Sequence, residues 1–385
     1  MTRKNMSICF ATAGVYPILK AVGAYGGSEL RAWRLARYLA RRPGFTVSML
    51  AYDYGQPRSE VIEGVRFLRD SACVFERSLV GRLRWRLLQA VRRGRIEGVP
   101  LLLEPDYHIW DQADADIYLA FGATNYSARL ARWCAVRNKP FILMQGGDMD
   151  LAPKEPFAER VYGLPGLSVA QTPFQQEELL KRFHRSSEVL QNPIAIPAGG
   201  PYLEPRKFAL WVGKSDRIKC PERMVDLARL SPDVPVVMVM NRADGMVFDA
   251  VKAQAPANVS FVDAVAPEEM QTYYRDACVL VSTSITEGFP NSFLEAGANG
   301  TPILSLDVDP AGMLTDHGAG VVTGGSLERA SGLLQQLWAE RGWEPGCSAR
   351  VMGERGFRYV EERHAQDRVF ERFERILLSF SNRSG

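Results

Sequence analysis

Short apolar runs alternate with amphipathic stretches along most of this 385-residue chain. In the first half the runs are Ser7–Ala13, Thr46–Leu50, Ile117–Phe121, Pro140–Gln145 and Leu167–Gln171. Several are continuous rather than alternating, which predicts parallel strands buried on both faces. Helical segments lie between them. Ser28–Arg41 places Leu30, Trp33, Leu35, Ala36 and Leu39 on one side. The alternation breaks at NPIAIPAGGPYLEP, from Asn192 to Pro205, whose prolines and paired glycines read as a linker. It restarts with Phe208–Val212, Val236–Met240, Val259–Val262, Val279–Thr283, Pro302–Leu306 and Gly320–Val322. Strand–helix alternation in both halves predicts an α/β protein of two doubly wound, Rossmann-like domains facing a central cleft. The expected limits are 1–195, a linker at 196–207, 208–365, and a closing helix at 366–385.

Composition narrows the classes. A hydrophobic fraction of 46% and a charged fraction of 24% suit a globular chain with two ordinary cores. The net charge of +3 is too weak for a nucleic-acid binder. The six cysteines are far apart, so no C-x-x-C spacing exists, and free thiols in a reducing cytoplasm are expected. No apolar run reaches the ~18–20 residues of a membrane span. The stretch Arg77–Arg95 is basic and amphipathic; it reads either as a solvated helix or as peripheral contact with an anionic membrane. No G-x-G-x-x-G follows the first strand, which excludes an ordinary NAD dehydrogenase.

The most informative run is TEGFPNSFLEAGANG, Thr286–Gly300. It follows a buried strand and opens a helix near Asn291 or Ser292. Gly288 and Pro290 shape the turn, and the first helical N–H groups lack internal partners. With the helix dipole they suit an anion such as a diphosphate, and Asn291 and Ser292 add side-chain donors. Glu287 and Glu295 bracket the turn, and each carboxylate accepts well from vicinal hydroxyls. A competing reading needs no ligand: Ser292-Phe-Leu-Glu295 is also a capping box. Upstream, Gly213-Lys214 ends the first strand of the second half, and Lys219 follows. Two cations there either neutralise a departing diphosphate or decorate a solvated turn. Near the N-terminus, Gly23-Ala-Tyr-Gly26-Gly27-Ser28-Glu29 links a strand to a helix.

E-G-F-P-N-S-F-L-E-A resembles the E-x7-E motif of the retaining GT-B glycosyltransferases, especially glycosyltransferase family 4. The Gly213-Lys214 and Lys219 segment and the Gly26-Gly27 loop are similar to further motifs of that family. The resemblance implies transfer of a hexose-type sugar from a UDP- or GDP-sugar to a glycan or lipid-linked acceptor. Glu287, Lys214 and Lys219 would act at the reacting centre. Gly26, Gly27, Gly213, Gly288, Phe289, Pro290, Asn291, Ser292 and Glu295 would hold the donor, with Glu287 on the sugar and Glu295 on the ribose. Asp148 stands where many members have a sugar-contacting His, and Lys20 borders the acceptor side. No metal and no cofactor beyond the donor are implied. The final helix would cross back to the first domain, with Phe370–Phe380 near its sheet. A cytoplasmic protein, peripheral on the membrane's inner face if 77–95 binds it, acting in lipopolysaccharide or exopolysaccharide synthesis, is the implied setting. The alternatives are a GT-B nucleotide-sugar 2-epimerase and a non-catalytic nucleotide-sugar-binding protein. Cys220 stands where the family has Gly, and that departure bears on the local backbone.

Overall fold

The computed structural model describes residues 5–12, 14–20, 26–69, 90, 107–155, 157–263 and 265–384. Among them the chain forms two compact units. The first runs to Gln191 and takes in the chain again from Phe370; the second holds Asn192–Val369. Gly23 and Arg77–Arg95, apart from Ala90, lie outside the described residues.

The first unit is built on eight strands: β1 (Met6–Ala11), β2 (Phe45–Ala51), β3 (Ser59–Ile62), β4 (Val65–Arg69), β5 (Ile117–Phe121), β6 (Phe141–Met144), β7 (Leu167–Ala170) and β8 (Ser187–Val189). Their order is β3-β4-β2-β1-β5-β6-β7-β8. All neighbours pair in parallel except β3 with β4. The expected two-sided burial is seen where the apolar runs are continuous: Ile8–Ala11 and Phe141–Met144 are buried throughout. The sequence pattern did not single out β3, β4 or β8. They are short, and Arg66, Arg69, Glu60 and Glu188 break their apolar character, as suits strands at or near a sheet edge.

The final helix, Gln366–Ser384, supplies the first unit with one wall. Phe373 meets Phe10 of β1 edge-on at 6.4 Å, and Phe370 stacks on Tyr38 at 4.4 Å. Glu374 accepts from the Tyr38 hydroxyl and pairs with Arg42, each at 3.2 Å. Burying two aromatic rings contributes several kcal/mol, more than the half-exposed ion pair beside them.

The second unit has six parallel strands: β9 (Phe208–Lys214), β10 (Val236–Asn241), β11 (Val259–Val262), β12 (Ala277–Ser282), β13 (Ile303–Ser305) and β14 (Gly320–Val322). Their order is β11-β10-β9-β12-β13-β14. The direction of winding reverses between β9 and β12, and ligands of open α/β sheets gather beyond the carboxyl ends of such a strand pair. Here those ends are Lys214 and Ser282. The linker expected from Asn192 is well packed at its start. Ile194 bridges to Ala365, with Ile194 N–H donating to the His364 carbonyl and Gln366 N–H to the Ile194 carbonyl, both at 2.9 Å. No described helix is long and apolar enough to cross a membrane.

Candidate functional site

The loop after β9 begins at Gly213. A Cβ on Gly213 would lie 2.7 Å from the Trp211 ring, so only Gly lets that indole fold under the strand end. Trp211 donates its ring N–H to Thr283 Oγ1 (2.9 Å), and Thr283 donates to the Lys219 carbonyl (2.6 Å). Ile285 N–H donates to the Ile218 carbonyl (3.0 Å). These bonds tie the loop after β9 to the loop after β12. Asp216 Oδ1 accepts from the N–H groups of Ile218 and Lys219 (3.0 and 2.9 Å), closing the turn that presents Lys219. Asp216 and Thr283 escaped the sequence reading; a short polar residue three positions before the lysine was the only signal.

The two tied loops bring Lys219 and Glu287 into direct contact, Nζ to Oε1, with both side chains mostly buried. Lys214, at the last position of β9, makes no ion pair among the described residues. A cation without a carboxylate therefore stands on the strand next to a cation that has one. Cys220 follows Lys219 with φ 45° and ψ 58°, the left-handed region. Glycine enters this region without a Cβ penalty, and this chain enters it with a side chain, at a cost of ~1–2 kcal/mol.

Beyond β12, Phe289 and Pro290 lead into the helix Asn291–Ala298. Its N-cap is Pro290, and no side chain caps it. Ser292 lies inside the first turn, so the capping-box explanation of Ser292 and Glu295 does not hold. Phe293 N–H donates to the Pro290 carbonyl (3.1 Å), and the helix start points its dipole out of the turn with no side chain across it. Glu295 is buried, one turn further on. Asn192, also buried, ties this turn to the start of the second unit. Its amide donates to the Phe289 carbonyl (3.2 Å) and to Asn291 Oδ1 (3.3 Å). Its carbonyl accepts from His364 Nδ1 (3.0 Å), and the His364 ring leans on Phe289 at 4.7 Å. The structure thus brings Gly213, Lys214, Lys219, Glu287, Gly288, Phe289, Pro290, Asn291, Ser292 and Glu295 onto two connected loops and one helix start of the second unit.

The remaining candidates belong to the first unit. The helix Gly27–Ala40 starts at Gly27 behind Gly26, whose N–H donates to Glu29 Oε2 (3.0 Å). That carboxylate at the Gly-rich turn repels an approaching phosphate and suits hydroxyls better. Lys20 ends the short helix Tyr16–Lys20. Asp148 follows β6, and its Oδ1 accepts from Gln175 Nε2 (2.8 Å). Its neighbour Asp150 is committed to the backbone, accepting from Gly146 (2.5 Å) and Gly147 (3.2 Å). Burial raises the Asp150 carboxyl above its ordinary value, while the N–H groups of Gly146, Gly147 and Ala123 pull it down. Below it, fully buried Arg31 donates to the carbonyls of Gln145 (3.0 Å) and Leu190 (2.7 Å), and burial lowers its pKa to about 9. Among the described residues no three His, Cys, Asp or Glu side chains gather as a metal-holding group.

Comparison with known proteins bears on the fold and on the second unit. Residues 226–337 match the family model of glycosyl transferases group 1. A curated relative, D-inositol 3-phosphate glycosyltransferase of Rhodococcus erythropolis, is 24% identical over 202 residues. The match takes 48% of this chain and spans 45% of that relative. Among solved structures, sucrose-phosphate synthase from Thermosynechococcus elongatus superposes with a TM-score of 0.75 at 17% identity, covering 97% of this chain and 98% of that one. HepE of Anabaena, in complex with UDP and glucose, gives 0.67 at 14% identity, covering 97% and 100%. WaaG, a glycosyltransferase of lipopolysaccharide biosynthesis, gives 0.62 at 15% identity, covering 92% and 95%. The fold is GT-B.

Proposed function

We propose that this chain, a GT-B protein whose second unit carries the glycosyl transferases group 1 match, is a retaining glycosyltransferase. It moves a hexose-type sugar from a nucleotide-diphosphate donor to a glycan acceptor in the synthesis of a cell-surface polysaccharide. The observation that carries the reading is the Lys219–Glu287 contact, with Lys214, which makes no ion pair among the described residues, and the start of the Asn291–Ala298 helix, all on the loops of the strand pair where the second sheet reverses.

Each part has a chemical task. Lys214 and the first N–H groups of the Asn291–Ala298 helix take the diphosphate, where charge-assisted bonds are strongest. Lys219 neutralises charge as the diphosphate leaves, a task that acts more on the transition state than on the ground state. Glu287, oriented by Lys219, accepts from hydroxyls of the donor sugar. Glu295, buried one turn beyond the phosphate site, accepts from the ribose. The leaving diphosphate itself draws the proton from the acceptor hydroxyl, so no separate general base is required. In the first unit, Gly26 and Gly27 let backbone approach the reacting sugar, and Asp148, oriented by Gln175, takes a hydroxyl.

UDP is the first donor nucleotide to test, since HepE is described with UDP and glucose. Nucleotide release measured with and without added acceptor separates the readings. A transferase releases nucleotide with acceptor and gives a product whose anomeric configuration, read by proton NMR, matches the donor. Inverted configuration rejects the retaining mechanism. Conversion of the nucleotide-sugar without acceptor favours the epimerase, and binding without turnover favours a non-catalytic role.

A further inference from the structure

The carboxyl edge of the first sheet carries a feature that the donor site does not use. Tyr52 and Tyr54 follow β2 and are 48% and 45% exposed, although both are large aromatic side chains. They are not on a loose tip. The buried side chain of Gln56 accepts from the Tyr54 N–H (2.6 Å) and donates to the Tyr52 carbonyl (2.5 Å), holding the two residues in one turn. Asp53 accepts from the Gly55 N–H (2.9 Å), and Gly55 supplies the φ of +86° that the turn requires. Tyr54 lies flat on Tyr16, with centroids 5.8 Å apart and planes 13° apart. Tyr16 is itself buried and fixed, donating its hydroxyl to Glu60 (2.7 Å) and meeting Phe67 edge-on at 5.9 Å. Burial, then the charges of the Tyr52 hydroxyl and the Glu29 carboxylate, hold the Tyr54 hydroxyl above its ordinary value.

We propose that Tyr52 and Tyr54 form a stacking platform for the acceptor, and that the acceptor presents a neutral pyranose there. This rests on the transferase reading and names the substrate class of its acceptor side. A flat, rigidly backed aromatic face suits the C–H face of a sugar ring at small entropy cost. Beside it the Glu60 carboxylate, which accepts from Tyr16, disfavours a phosphate at this position, while Asp53 is paired with Arg69 at 3.7 Å. The parallel strands β1 and β2 end on this edge, where open α/β sheets bind their ligands.

The test is saturation-transfer NMR on the full chain with three probes: the methyl α-pyranosides of glucose, galactose and mannose. Farnesyl phosphate serves as the anionic lipid comparison. At least one glycoside is expected to receive saturation on its ring protons, to lose it in Tyr54→Ala, and to keep it in Tyr54→Phe. Tyr52→Ala should weaken that glycoside roughly tenfold, as for an aromatic contact residue. UDP binding, followed in the same samples by thermal shift, should be equal in all variants. No glycoside signal, a signal indifferent to Tyr54→Ala, or binding of farnesyl phosphate alone overturns the proposal. Loss of UDP binding in the wild type strikes the donor reading instead, so the two failures are distinguishable.

Discussion

The two units differ in the polar groups at the carboxyl ends of their strands. In the first, Arg31, Asp150 and Gln175 bond internal partners, mostly backbone, as buried Arg206 does deep in the second. In the second, Lys214 has no ion-pair partner among the described residues, and Lys219 and Glu287 satisfy each other at a strand end. Closed networks add rigidity, whereas an open cation and an uncapped helix leave interaction energy for a ligand. On the proposed function, the difference assigns the charged substrate to the second unit and a neutral one to the loops of the first, which carry exposed Tyr54 and half-buried Asp148.

The largest expected effect breaks the open side. Lys219→Ala should lower kcat by about 10²–10³-fold, the usual loss for a donor that stabilises developing charge. Circular dichroism should remain unchanged, and steady-state kinetics with saturating donor is the check. If kcat is kept and only donor KM rises, Lys219 binds the ground state and the departure role assigned to it fails.

The corresponding cut in the first unit should act on stability instead. Arg31→Met leaves the Leu190 carbonyl without its donor and the Gln145 carbonyl with Gln171 Nε2 alone (2.8 Å), and should cost about 3 kcal/mol. Chemical denaturation measures it, and UDP affinity of the folded fraction should not change. A folded, fully stable Arg31→Met protein would dissolve the contrast between the units.

Cys220 offers a finer test. Valine in the left-handed region is strained by branching at Cβ, so Cys220→Val should destabilise by about 2 kcal/mol. Cys220→Gly should stay within about 1 kcal/mol of the wild type, because relief of strain offsets lost burial and greater freedom of the unfolded chain. Thermal denaturation of both variants decides whether the turn before the helix Pro221–Leu230 is as described.

The smallest effect concerns pH. With its carboxyl raised by burial, native Asp150 keeps its proton to higher pH than the unfolded chain does. Its ionised form therefore costs stability at neutral pH, and the cost is relieved as pH falls toward the carboxylate range. The Tm of the wild type minus that of Asp150→Asn should rise as pH is lowered from 7. A difference independent of pH means that Asp150 is not buried as an acid.

The sequence was most readable where one face of chemistry is local. Apolar runs marked every strand of the second sheet, the partly buried edge strands β11 and β14 included. The edge strands β3 and β8 of the first sheet were missed because they are short and partly exposed, and β4, beside the edge, because Arg66 and Arg69 interrupt its apolar residues. The donor loops were legible because Lys214, Lys219, Glu287 and Glu295 sit in short motifs. Their coupling through Trp211, Thr283 and Asn192 was not, since those bonds span 64 to 99 residues of chain and leave no spacing to read. The Ser292 capping box showed the reverse: a valid local pattern that Pro290, two residues earlier, makes irrelevant by starting the helix first. The left-handed turn at Cys220 was visible only as a residue out of place, and its geometry supplies the reason.

The central claim is that the second unit binds a nucleoside diphosphate through Lys214 and the uncapped start of the Asn291–Ala298 helix. Isothermal titration of the full chain with UDP, GDP and ADP tests it most directly. The account predicts binding of at least one of the three, weakened about tenfold or more in Lys214→Ala for loss of a charge-assisted contact. Absence of binding for all three, or an affinity untouched by Lys214→Ala, would contradict it.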